Sequence, residues 1–76
     1  MTFAEAVTLH LTNGGSANDT AMVFSTSMSC DNGGDIPERL LELYTSVDKA
    51  SKLLKDTLPV VSMRTCAGRL ELFVDL

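Results

Sequence analysis

The stretch "RLELFVDL", Arg69 to Leu76, alternates without a break. Leu70, Leu72, Val74 and Leu76 fall on one face, and Arg69, Glu71, Phe73 and Asp75 on the other. Successive side chains of an extended chain point to opposite faces, so this reads as a strand with one covered side. Just before it, Val60 to Cys66 alternates too, with Val61, Met63 and Thr65 opposed to Val60, Ser62, Arg64 and Cys66. A loop of two or four residues around Ala67-Gly68 sets Val61 against Val74, Met63 against Leu72 and Thr65 against Leu70. It also places Arg64 opposite Glu71 on the other face, a favourable charge pair. A three-residue loop would oppose apolar to polar residues throughout. Ala67 is poorly suited to a positive φ, which favours the four-residue loop with Gly68 left-handed.

The first half reads as a weaker hairpin. Phe3, Val7, Leu9 and Leu11 make one apolar face, and Met22, Phe24, Met28 and Cys30 another, with the turn-forming run Thr12 to Asp19 between them. The opposite, uncovered face would then carry Thr8, His10, Ala21, Val23, Ser25, Ser27 and Ser29.

Between the hairpins, Asp35-Ile36-Pro37-Glu38 has the form of a helix start, with a capping carboxylate and a proline in the first turn. Leu40, Leu43, Tyr44, Val47, Ala50, Leu54 and Leu58 follow at helical spacing, and Pro59 ends the run. Asn13-Gly14-Gly15 and Asn32-Gly33-Gly34 read as chain reversals. Neither fits a phosphate-binding glycine loop, and Asp31 and Asp35 would repel an anion. The run Asp31 to Asp35 lacks the spacing of an EF-hand calcium loop.

The expected fold is α+β: a single compact domain, 1–76, in the order β-β-α-β-β, with a four-stranded antiparallel sheet and one helix packed on one face. At 76 residues, such a chain buries roughly 60% of its unfolded surface, which makes for a small core.

The formal net charge is −4, with only 6 Lys and Arg, so direct nucleic-acid binding is not expected. Residues 1–12 contain no Lys or Arg and no unbroken apolar run, and no stretch approaches the roughly 20 apolar residues that cross a bilayer. The expected compartment is the cytoplasm, with no membrane contact.

Site chemistry is sparse. His10 is the only histidine and reads as a surface residue. Cys30 and Cys66 form no CxxC pair, and with one histidine they make a poor zinc site. By parity Cys66 and His10 share the uncovered face, which leaves a thiol–histidine enzyme as the least favoured reading. No catalytic group, cofactor or metal is expected. The leading expectation is a non-enzymatic, protein-binding inhibitor or regulator. Small acidic proteins encoded by viruses or mobile elements against host enzymes or defences, anti-CRISPR proteins among them, share this profile. Contact would run through the uncovered face, around Thr8, His10, Val23, Ser25, Ser62, Arg64, Glu71 and Phe73, or through a strand edge. The alternative is a homodimeric assembly subunit.

Overall fold

The computed structural model describes residues 1–26 and 39–75. Its elements are α1 (Phe3–Thr12), β1 (Thr20–Ser25), β2 (Arg39–Tyr44), α2 (Val47–Leu53), β3 (Ser62–Cys66) and β4 (Arg69–Val74). The four strands form one sheet in the order β2-β1-β4-β3. The α+β class and the four-stranded sheet agree with the sequence reading. The element order and the direction of one strand pair do not.

The second hairpin is as read. Met63 pairs with Leu72, Arg64 with Glu71 and Thr65 with Leu70. Its loop is the two-residue version rather than the four-residue one: Cys66 pairs with Arg69, Gly68 alone takes a positive φ of 76°, and Ala67 does not. A left-handed residue at only the second loop position suffices when it is a glycine.

The first element is a helix, not a strand. Thr2 caps it: Thr2 Oγ1 accepts the Glu5 N–H at 3.2 Å, while Glu5 Oε1 accepts the Thr2 N–H at 2.9 Å. This reciprocal capping box satisfies two of the free donors of the first turn. Two more are taken by the loop after α2, Phe3 N–H by the Leu58 carbonyl and Ala4 N–H by that of Asp56. Phe3, Ala6 and His10 are buried at helical spacing, whereas Leu9 and Leu11, half of the alternation that suggested a strand, are exposed.

The long helix read from Ile36 onward is likewise divided. Residues 39–44 form the edge strand β2, and among the described residues of that stretch only Val47–Leu53 is helical. Ser46 interrupts the run. It adopts an extended backbone and caps α2, accepting the Lys49 N–H at 3.1 Å, as serine does best outside a helix interior. The backbone N–H groups of Val47 and Asp48 donate to the carbonyls of Asp19 and Ala17, which ties α2 to the loop before β1. The start signal at Asp35, Pro37 and Glu38, the second Asn-Gly-Gly, Cys30 and Leu76 lie outside the described residues.

The sheet is mixed. β1 pairs antiparallel with β2, and β3 with β4, but β1 and β4 run parallel. With α2 as a crossover from β2 to β3, those two edge strands point the same way, so their inner partners do too. One layer of two helices covers one face. Phe3 and Ala6 of α1 and Val47 and Ala50 of α2 pack with Ala21 and Val23 of β1 and Leu70, Leu72 and Val74 of β4 in a single core. The inward face of β4 is the one expected. That of β1 is the reverse of expectation: Ala21 and Val23 lie under the helices, which leaves Met22 and Phe24 for the other side. With Phe3 supplied by a helix, the aromatic bulk of β1 is not needed in the core, and small residues suit a strand packed against α2.

Candidate functional site

The sheet face away from the helices is built on Phe24 and Phe73, which stand opposite each other on the parallel pair β1–β4. Their rings stack with centroids 5.2 Å apart and planes at 15°, and the Arg64 guanidinium lies 4.6 Å from the Phe73 centroid. Such a stack contributes ~0.5–1.5 kcal/mol beyond the area it buries, and the cation over the ring ~0.5–1 kcal/mol at an exposed site. Glu71 sits between two arginines, 2.8 Å from Arg69 and 3.7 Å from Arg64. The Arg64–Glu71 pair read from the sequence is therefore present, although Arg69 makes the closer contact.

Apolar surface extends from this stack onto β2. Leu43 pairs with Met22 and Leu40 with Phe24, and a bulge between them leaves Leu41 without a partner on β1. Leu40, Leu41 and Leu43 are 46%, 43% and 58% exposed. β2 is also an edge of the sheet, so its outer backbone groups face no strand among the described residues. An exposed edge strand rich in leucine is a surface that natural proteins normally cover or blunt.

Of the eight residues expected on this face, Ser62, Arg64, Glu71 and Phe73 are there. Phe73 is only 3% exposed, so it supports the surface more than it presents one. Val23 and Ser25 are buried on the helix side, because β1 is turned over relative to expectation. Thr8 and His10 belong to α1. Thr8 is exposed and donates its hydroxyl to the Ala4 carbonyl. Met22, Phe24, Leu40 and Leu43 also lie on this face, where the sequence reading did not place them. The leucines were hidden by their fit to a helical stripe.

His10 corrects a second expectation: it is fully buried, not a surface residue. Its Nδ1 lies 3.0 Å from Thr65 Oγ1 and its Nε2 2.9 Å from Asp19 Oδ2. The ring thus joins α1, the loop before β1, and β3. Asp19 Oδ2 also accepts the Ser16 N–H at 2.8 Å. Both ring nitrogens are engaged by Thr65 and Asp19, and Cys66, one residue on, alternates to the opposite face; the thiol–histidine pairing is not what this geometry builds. The first Asn-Gly-Gly serves the same cluster. Asn13 caps α1, Gly14 takes φ 92°, and Gly15 passes against the His10 ring, its N–H donating to the His10 carbonyl. Beside the cluster lies a polar cleft of about 440 Å³, lined by residues 13–16, Asp19 and residues 65–68.

Among the described residues no helix is long and apolar enough to cross a membrane. No family model matches the chain, and neither any curated protein nor any solved structure is measurably similar to it.

Proposed function

We propose that this protein works by binding another protein, through the β2–β1 end of the sheet face opposite its helices. The observation that supports this most is the exposure of Leu40, Leu41 and Leu43 on one edge strand. Leaving three leucines about half exposed forgoes stabilisation of roughly 0.7–1.5 kcal/mol each, half of what burying a fully exposed side chain contributes. Interface cores are characteristically aromatic and aliphatic with an arginine-bearing rim, and here Met22, Phe24, Leu40 and Leu43 adjoin Arg64, Arg69 and Glu71. The contact set read from the sequence is accordingly amended: Thr8, His10, Val23 and Ser25 leave it, and Met22, Phe24, Leu40 and Leu43 enter.

An acidic domain of this size acting through one face suits an inhibitor or regulator, of the kind viruses and mobile elements direct at host enzymes or defences in the host cytoplasm. A second reading rests on β2 being a sheet edge. Two copies joined there would make a homodimeric assembly unit, with strand pairing across the two-fold axis.

Affinity capture from the native host, quantified by mass spectrometry, tests the first reading. The comparison is between the wild-type chain, the Leu40→Glu/Leu43→Glu double variant, and Leu53→Glu on α2, which is 72% exposed in the wild type. The wild type and Leu53→Glu should retain one common partner that the double variant loses with an unchanged circular dichroism spectrum. Equal capture by all three would refute the face assignment. Sedimentation over a dilution series separates the readings, since only the second requires a dimer that the double variant disrupts.

A further inference from the structure

We propose that Thr65 is a nucleophile, activated by His10 and positioned through it by Asp19, in a cleft that takes a small carboxylic ester. The three groups stand in the order that hydroxyl nucleophiles use: hydroxyl to imidazole at 3.0 Å, imidazole to carboxylate at 2.9 Å. The carboxylate fixes the tautomer. Asp19 Oδ2 can only accept, so Nε2 carries the ring hydrogen, and the lone pair on Nδ1 is left to receive the Thr65 hydroxyl proton. A second donor, the Ser16 N–H at 2.8 Å, holds Asp19 in place.

Burial is graded in the direction catalysis needs. His10 is 0% exposed, whereas Thr65 is exposed and lines the polar cleft of about 440 Å³. That volume lies within the range of small-molecule sites, roughly 300–1,000 Å³. A hydrogen-bonded staple between α1 and β3 explains the ring's burial. It does not require that the hydroxyl at the far end open onto a cleft.

The step balances without a cofactor. Thr65 Oγ1 attacks the ester carbonyl carbon as its proton passes to His10 Nδ1. The tetrahedral intermediate collapses to the acyl-threonine by breaking the C–O bond to the alkoxide, which takes the proton from Nδ1 as it leaves. Water then attacks the acyl carbon, giving a proton to Nδ1 that returns to Thr65 Oγ1, so ester and water become acid and alcohol. Asp19 in the cleft wall disfavours an anionic ester.

The test uses the full chain in a Cys66→Ala background, which removes thiol acylation. The protein is treated with an alkyl fluorophosphonate probe, the adduct is located by peptide fragmentation, and hydrolysis of 4-nitrophenyl acetate is followed in parallel. Thr65 should be labelled at least about tenfold faster than exposed Thr57 and Thr45, a modest demand on a general base that typically contributes 10²–10⁴-fold. Thr65→Val, close to isosteric, should abolish label and turnover while keeping the fold; Thr65→Ser should restore both; Asp19→Asn should slow both. Labelling of Thr65 no faster than Thr57, or undiminished turnover in a folded Thr65→Val, overturns the proposal. Neither result bears on the opposite sheet face.

Discussion

The imidazole of His10 occupies the space that a Cβ on Gly15 would fill, against its Cε1 and Nε2 atoms. Gly15 and the neighbouring Gly14 are therefore glycines for different reasons. Gly14 has φ 92° and open space around it, whereas Gly15 has an ordinary φ and a ring in the way. Gly14→Ala should cost about 1 kcal/mol through the left-handed backbone. Gly15→Ala should cost about 3 kcal/mol, because a fully buried ring held at both nitrogens cannot move aside without losing its partners. Urea denaturation of both variants checks the order. A larger loss for Gly14→Ala would mean that the ring yields easily.

The same ring predicts an asymmetry along its hydrogen-bonded chain. His10→Ala removes a buried side chain between α1 and β3 and should destabilise by about 2–4 kcal/mol. Thr65→Val, at an exposed residue, removes only the partner of the buried Nδ1 and should cost about 1 kcal/mol. A double-mutant cycle on the pair should show coupling above 0.5 kcal/mol, as expected for groups in direct contact. Additive losses would show that the 3.0 Å contact contributes nothing to stability.

These contrasts bear on what was legible in the sequence. The β3–β4 hairpin could be read pair by pair because both strands alternate strictly and a slip by one residue would expose every apolar side chain. The α1 segment carries two superposed patterns. Phe3, Val7, Leu9 and Leu11 mimic a strand, while Phe3, Ala6 and His10 are what the core takes. The deciding signal was local: Thr2-x-x-Glu5 is a capping box, and it outweighs an imperfect alternation. At β2 the opposite confusion arose. Leu40, Leu43 and Tyr44 fit the stripe of the following helix, and only Ser46 marks where it begins. The His10 cluster joins residues up to 55 positions apart, a proximity that no local pattern records. The parallel pairing of β1 with β4 was hidden for the same reason, since it follows from a crossover between edge strands.

On the open sheet face, Phe24 and Leu43 should separate structural from contact roles. Phe24→Leu keeps most apolar volume but loses the stack on Phe73, so it should destabilise by about 1 kcal/mol. Leu43→Ser removes a side chain more than half exposed and should shift stability by no more than about 0.5 kcal/mol. If binding is measured as well, Leu43→Ser should weaken it disproportionately to its effect on stability. Equal stability losses from the two changes would indicate that Leu43 is packed within the folded chain.

Tyr44 offers the cleanest pH prediction, because it is the only tyrosine and the chain has no tryptophan. Burial pushes its phenol up to about 12, and a hydrogen bond to the Glu42 carboxylate and that group's charge add to the effect. In the unfolded chain the phenol ionises near its ordinary value of about 10. The folded state therefore holds the proton more tightly, and its contribution to stability is fully present below pH 10. Between about 10 and 12 the unfolded state ionises first, so stability falls as the pH rises through that window. Tyrosinate absorbance should titrate near 12 in the native protein and near 10 in urea, and Tyr44→Phe should remove this contribution to the alkaline loss of stability. A native titration near 10 would place the phenol in water and contradict the packing of Tyr44 against the core.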